Sequence, residues 1–166
     1  MVTGTRTAAE VLEILREVKD PEVPVLDVVE LGIIRAADVE EDSVRVDVTP
    51  TYSGCPAMRV IEEEITAALN RHGFREVVVR TVFQPAWTTD WMTDEARRKL
   101  REYGIAPPGP AEPESPVPFG ATVRRVSCPF CGSASTELQS EFGATACKAL
   151  YTCRACRQPF EYFKAI

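Results

Sequence analysis

Four of the six cysteines form two Cys-x-x-Cys pairs, and this spacing constrains the fold more than any other feature. The pairs are Cys128 with Cys131 and Cys153 with Cys156, and 21 residues separate them. In each pair a tight turn directs two sulfurs at one ion, and four thiolates at a tetrahedral site favour zinc. A disulfide pair and a rubredoxin-like iron site are the alternatives. Because so short a module has too small a core to fold unaided, we predict a structural zinc site in a β-rich ribbon.

Prolines are concentrated between this ribbon and the rest of the chain. From 106 to 119, six of fourteen residues are proline, which is typical of a stiff, extended spacer. We therefore predict a first domain over 1–105, a linker over 106–119 and the zinc ribbon over 120–166. The 166 residues, of which 45% are hydrophobic, suffice for one domain of ordinary size with a small appendage.

The first domain is predicted to be α+β, with helices covering one face of a small mixed sheet. Apolar residues recur at helical spacing in some segments and alternate with polar residues in others. The predicted elements are helix 8–19, a turn-rich loop over 22–32, strands 33–39 and 43–49, a helix that starts at Pro56, strand 76–83 and helix 94–103. In the ribbon, strands are predicted at 123–127, 136–140, 150–152 and 160–163.

Cys55 lies between the second predicted strand and the helix that follows it. A sulfur at a helix N-terminus faces free N–H groups and the positive end of the helix dipole, which favour the thiolate. Such a thiol can attack an electrophile, bind a soft metal or merely cap the helix, and a buried structural role is the plain alternative. The only histidine, His72, falls far along the same helix, which argues against a cysteine–histidine hydrolase.

Two further features leave alternatives open. Trp87 and Trp91 predict a core or interface cluster, with lining of a pocket beside Cys55 as the alternative. Cys147 lies outside both Cys-x-x-Cys pairs. The plain interpretation is a buried spare cysteine. The alternatives are a second thiol that contacts Cys55 or a transferred metal, and a thiol that replaces one of the ribbon's metal ligands.

Charge and hydropathy exclude several classes of protein. Residues up to 119 carry 13 Lys and Arg against 22 Asp and Glu, while later residues carry 6 against 3. An acidic main body is a poor surface for nucleic acid, whose binding depends on neutralising phosphates. The sequence has no long apolar run and no signal-peptide pattern, so we expect a cytoplasmic protein without membrane contact.

Several motifs resemble those of the metal-sulfur cluster assembly domain family that includes SufT. The motifs are Asp20-Pro21-Glu22-Val23-Pro24, Leu31-Gly32-Ile33-Ile34, Thr49-Pro50-Thr51-Tyr52-Ser53-Gly54-Cys55-Pro56 and Trp87-Thr88-Thr89-Asp90-Trp91. With the ribbon and the segment Phe142-Gly143-Ala144-Thr145-Ala146-Cys147-Lys148, nearly the whole chain resembles the PaaD family, also called PaaJ, of the phenylacetyl-CoA epoxidase system.

This resemblance implies an accessory protein of aerobic phenylacetate breakdown that matures an iron–sulfur or di-iron centre and has no catalytic activity of its own. The implied partners are the di-iron oxygenase, the iron–sulfur reductase and iron–sulfur carrier proteins. By the same resemblance, Cys55 matches a loop cysteine that handles iron or a cluster transiently, and Asp20 matches an acidic residue of the opening motif. Cys147 is a further candidate ligand, and a homodimer is left open.

Other functions remain as alternatives. The chain can instead be a docking subunit of the oxygenase that holds zinc only and orders the complex through Trp87, Trp91 and the ribbon. An enzyme with Cys55 as redox or acyl-carrying nucleophile is disfavoured because no base is evident. A nucleic-acid-binding ribbon is disfavoured by the acidic body.

Overall fold

A computed structural model of the chain describes residues 6–110 and 125–166, which form two compact units. The first unit runs to Trp87 and includes 91–93, whereas the second contains 88–90 and the residues from 94 onward. The helix predicted at 94–103 therefore groups with the ribbon. The three predicted segments stay a prediction, since most of the linker lies outside the described residues.

The first unit contains two helices and a mixed sheet. Helix α1 covers Ala8–Leu15 and α2 covers Ala57–Arg71, and the strands are β1 (Ile34–Glu40), β2 (Ser43–Val48) and β3 (Glu76–Thr81). Strand β1 pairs antiparallel with β2, and β2 pairs parallel with β3. The predicted α+β fold with a small mixed sheet is confirmed.

Helix α1 begins as predicted, at a capping box in which Thr7 and Glu10 each bond the other's backbone amide. It ends at Leu15, four residues before the predicted end at 19. The chain leaves the helix because its backbone pairs with the following loop, where the amide of Val28 donates to the carbonyl of Val18 at 3.1 Å. This pairing fixes the turn that carries Asp20.

Side chains of the sheet divide by face. On the core face of β2, Val44, Val46 and Val48 are buried, which matches the alternation in the sequence. On the opposite face, Arg80 donates from Nε and Nη2 to Asp47 at 2.9 and 2.6 Å. That face is therefore a solvated surface of paired charges.

Trp87 belongs to the core of the first unit. Its ring is 3% exposed, and its indole Nε1–H donates to the carbonyl of Leu31 at 3.0 Å. Trp91 is half-buried, and the guanidinium of Arg35 lies 3.7 Å above its ring. Next to Leu31, Gly32 has φ of 77°, and a Cβ there would lie 2.4 Å from the carbonyl oxygen of Trp91. The prediction that the tryptophans are core residues therefore holds for Trp87, whereas Trp91 is only half-buried.

The second unit contains one helix and a four-stranded sheet. Its elements are α3 (Asp94–Tyr103), β4 (Ile105–Ala106), β5 (Thr136–Ser140), β6 (Lys148–Cys153) and β7 (Pro159–Phe163). The strand order is β4-β7-β6-β5, and β4 runs parallel to β7. Of the strand predicted at 123–127, residues 123 and 124 lie outside the described residues, and 125–127 form no strand. No described helix has the length and apolar character needed to cross a membrane.

The ribbon core explains why β4 joins this sheet. Buried side chains from β4, β6, β7 and the segment before β5 form one cluster that includes Tyr151, whose ring stacks on Phe160 at 5.8 Å between centroids. Ala106 of β4 is part of that cluster and is 1% exposed. The residues at the start of the proline-rich segment are therefore an integral part of the ribbon fold.

Candidate metal sites

The sulfurs of the two Cys-x-x-Cys pairs converge on one point. The ligand atoms of Cys128, Cys131, Cys153 and Cys156 all lie within 4.8 Å of one another. The sulfurs of Cys128 and Cys156 are 3.7 Å apart, and those of Cys131 and Cys153 are 3.6 Å apart. Four sulfurs at about 2.3 Å from a tetrahedral zinc ion stand roughly 3.8 Å apart. A disulfide would need about 2.05 Å, so the spacing fits a shared ion instead.

Two backbone turns of the same design hold these sulfurs. In the first turn the amide of Gly132 donates to the carbonyl of Cys128, and in the second the amide of Arg157 donates to the carbonyl of Cys153, both at 2.9 Å. Gly132 and Arg157 both adopt positive φ, at 73° and 65°. The two turns are thus equivalent, although only one has glycine at the position that favours it.

Hydrogen bonds and close packing shift the thiol pKa values in this cluster. The amide of Cys156 donates to the sulfur of Cys153 and, with that of Ala155, lowers the Cys153 pKa to about 7. At Cys156 the amide of Gln158 acts in the same direction, but burial and the neighbouring thiols prevail and raise its pKa to about 12. A divalent ion would replace the protons that these crowded thiols share.

Cys147 is not a member of this cluster, which is defined among the described residues. It is buried at 3% exposure, and its sulfur lies 3.1 Å from the hydroxyl oxygen of Thr145. The ammonium of Lys148 pairs with the carboxylate of Glu161 at 2.9 Å. This placement fits the interpretation of Cys147 as a buried spare cysteine, and its role as a ligand stays a prediction.

Cys55 lies in the loop between β2 and α2, two residues before the helix begins. Pro56 is the N-cap residue of α2, not its first helical residue as predicted. The amide of Cys55 donates to the carbonyl of Tyr52 at 3.3 Å. Gly54 has φ of 80°, and a Cβ there would meet no atom within 4 Å, so the space beside the sulfur-bearing turn is open.

The expectation of a thiolate at Cys55 is wrong for the resting protein. Burial raises the pKa of the Cys55 thiol, and the negative charges of Glu22 and Asp20 raise it further. A hydrogen bond from the amide of Ala57 and one from the hydroxyl of Tyr52 act in the opposite direction without prevailing. The helix terminus is therefore present, but burial and two carboxylates keep the sulfur protonated.

Asp20 is held beside this site by the turn that follows α1. Its Oδ1 accepts the amides of Glu22 at 2.7 Å and of Val23 at 2.9 Å, and its side chain is buried. Asp20 thus lies within electrostatic range of Cys55, and its role in handling iron stays a prediction. Sequence reasoning missed Glu22, although it lies in the same Asp20-Pro21-Glu22 motif.

His72 is the C-cap residue at the far end of α2. Helix α2 has 15 residues and is therefore about 22 Å long. The Nε2 atom of His72 lies 2.9 Å from a carboxylate oxygen of Glu17. The histidine therefore has a surface partner and cannot serve as a base for Cys55.

Comparisons with known proteins match both units of the chain. A family model described as the PaaD zinc beta ribbon domain matches residues 112–164, and one described as an iron-sulfur cluster assembly protein matches residues 8–79. The chain is 46% identical over 157 residues to an Escherichia coli (strain K12) protein that is provisionally named as the D component of 1,2-phenylacetyl-CoA epoxidase. That match covers 95% of this chain and 92% of the relative.

Two further likenesses concern the first part of the chain. A Porphyromonas gingivalis protein named as an Fe-S protein maturation auxiliary factor is 36% identical over 97 residues, which are 57% of this chain and 91% of the relative. The crystal structure of a domain of unknown function, DUF59, from Bacillus anthracis is 27% identical and superposes with a TM-score of 0.53. It covers 56% of this chain and 90% of that structure.

Proposed function

The chain belongs to the PaaD family, which includes the D component of 1,2-phenylacetyl-CoA epoxidase, and from this premise we propose that it matures a metal centre of such an epoxidase. In this proposal Cys55 takes up iron or an iron–sulfur cluster transiently, and the four-cysteine site of the ribbon holds zinc permanently. The chain itself catalyses no step of phenylacetate breakdown.

The observation that carries the proposal is the position of two carboxylates near the Cys55 sulfur. The charges of Glu22 and Asp20 disfavour a free thiolate, so a nucleophilic role is poorly supported. The same charges attract a cation, and a metal ion that displaces the thiol proton removes the cause of the repulsion. A site with these electrostatics suits metal uptake better than covalent catalysis.

A single sulfur also suits temporary binding. Stable iron–sulfur clusters in proteins are held by several cysteines, whereas the described loop offers one sulfur with carboxylates beside it. Asp20 uses Oδ1 to hold its own turn, and we propose that its charge assists the cargo without a lasting bond. The names of the maturation factors that resemble the first unit support the same role.

The proposed partners are the di-iron oxygenase and the iron–sulfur reductase of the epoxidase, together with carrier proteins that supply the iron or cluster. The ribbon would dock on these partners. Its large apolar side chains support this role, because Phe130 and Phe142 are 56% and 63% exposed. We place these events in the cytoplasm.

The test is anaerobic analysis of iron, acid-labile sulfide and zinc in the full chain, loaded with ferrous iron and sulfide. We expect wild type to bind iron and zinc, and Cys55→Ser to keep zinc while it loses iron. Cys147→Ser makes the same change at the buried cysteine of the other unit, and unchanged iron and zinc in that variant would assign the iron to Cys55 alone. Iron that is equal in wild type and Cys55→Ser would refute the proposal.

One second function is favoured by the exposed aromatic rings of the ribbon, namely a docking subunit that holds zinc only. The two functions differ in when the protein is needed. If oxygenase and reductase are produced without it and then assayed with it added, a docking subunit restores activity at once. A maturation factor leaves the separately produced enzyme poor in metal, and late addition of the metal-free factor restores nothing.

A further inference from the structure

Strand β3 is an edge strand whose outer side has no partner among the described residues. Its bonds to β2 alternate, as in any parallel pair. The amide of Glu76 donates to the carbonyl of Asp42, and the amide of Val82 donates to that of Val48 at 2.8 Å. The even-numbered residues of β3 therefore face β2, and the N–H and C=O groups of Val77 and Val79 point outward.

The flank of this edge is open as well. A groove of about 540 Å³ runs between α2 and β3 and is lined by Glu62, Thr66 and Val79, among others. On the opposite face of the strand, Val78 is 46% exposed. An edge with outward N–H and C=O groups and an exposed valine is a template for another strand.

We propose that this edge pairs with β3 of a second copy of the chain, antiparallel and about a two-fold axis through Val78, so that two three-stranded sheets join into one of six strands. In this register Val77 lies opposite Val79 of the other copy. Both residues direct their backbone groups outward, so the two copies exchange four hydrogen bonds. The backbone hydrogen-bonding groups of the two strands are therefore compatible with this register.

Charge complementarity selects this register from its neighbours. With Val78 on the axis, Glu76 of each copy faces Arg80 of the other, on the face where all three side chains are exposed. Arg80 uses Nε and Nη2 for Asp47, and its Nη1 has no bond among the described residues. Pairing shifted by one residue on each strand would place Glu76 opposite a valine instead. Opposite charges in cross-strand pairs stabilise, and like charges destabilise.

The proposed dimer keeps the two Cys55 sites apart. Strand β2 leads into the Cys55 loop, and its last residue, Val48, pairs with Thr81 at the end of β3. In an antiparallel β3 pair, the two Thr81 residues lie at opposite ends of the junction, separated by about 20 Å along the strands. Each Cys55 would therefore act alone, and a cluster shared between two Cys55 residues is incompatible with this dimer.

Disulfide trapping tests the contact directly in the zinc-loaded full chain. Residues opposite each other in a non-hydrogen-bonded antiparallel pair are close enough for a disulfide bond. We expect Val78→Cys to form a covalent dimer under mild oxidation that wild type does not form. Val60→Cys is the matched control, because Val60 is 43% exposed on α2 and does not line the groove beside β3.

Sedimentation equilibrium over a range of protein concentrations provides the second measurement. We expect a concentration-dependent dimer of wild type whose dissociation constant rises about tenfold in Glu76→Lys, which places like charges opposite each other twice. Glu64→Lys makes the same charge change at an exposed position of α2 and should leave the constant unchanged. A wild type that stays monomeric, a dimer insensitive to Glu76→Lys, or equal cross-linking of both cysteine variants would overturn the proposal.

Discussion

The two metal-binding turns allow one backbone angle to be tested with two different residues. Gly132 and Arg157 hold the same position after the second cysteine of each pair, with φ of 73° and 65°. We expect Gly132→Ala to weaken the metal site. In the other turn, the Arg157→Gly variant should bind the metal more tightly than the Arg157→Ala variant. The Gly-to-Ala comparison at 157 isolates the backbone, because both variants lack the arginine charge.

The magnitude follows from the surroundings of Gly132. A Cβ there would meet no atom within 4 Å, so the substitution adds no clash and only the backbone penalty counts. A positive φ costs a residue with a Cβ about 1–2 kcal/mol, and the lower chain entropy of alanine in the unfolded state returns part of it. We therefore expect a net loss of about 1 kcal/mol.

Competition with a chromophoric zinc chelator measures this loss in the full chain. Because a small ribbon folds as it binds its ion, about 1 kcal/mol appears as roughly a fivefold change in apparent zinc affinity. Gly109→Ala is the control, since its Cβ would also meet no atom within 4 Å and its φ is not positive. An unchanged zinc affinity in Gly132→Ala would refute the reasoning. So would a higher zinc affinity in Arg157→Ala than in Arg157→Gly.

Two further predictions concern the first unit. Asp20→Asn keeps the oxygen that accepts the amides of Glu22 and Val23 but removes a negative charge, so the pKa of Cys55 should fall. The pH profile of Cys55 alkylation by iodoacetamide should then move to lower pH, and an unchanged profile would contradict this prediction. Trp87→Phe removes the buried bond to the Leu31 carbonyl and should cost about 1–3 kcal/mol in urea unfolding, and a loss no greater than that of Trp91→Phe would count against it.

The parts of the fold that were predictable depend on local spacing. The alternation of Val44, Val46 and Val48 specifies β2, and the Cys-x-x-Cys pairs specify the metal site, because neighbours in sequence determine both. The raised pKa of Cys55 was not predictable. It depends on burial and on two carboxylates from a distant part of the sequence, whereas the helix N-terminus beside Cys55 suggested the opposite direction.

Helix α3 illustrates a second limit. Its amphipathic pattern predicts the helix with correct bounds, but a pattern does not say which body its buried face contacts. Strand β4 has only two residues, too few to show any period, and it lies at the edge of a proline-rich segment that suggested a spacer. The grouping of both with the ribbon therefore follows from tertiary pairing alone.

That grouping bears on how the ribbon can be studied in isolation. A fragment that begins after Ala106 would lack β4 and would expose the edge of β7, which normally pairs with Ile105 and Ala106. Uncovered strand edges promote intermolecular pairing, so such a fragment would tend to aggregate even when fully loaded with metal. A cut before Asp94 retains the cover and is the better choice for spectroscopy of the cysteine cluster.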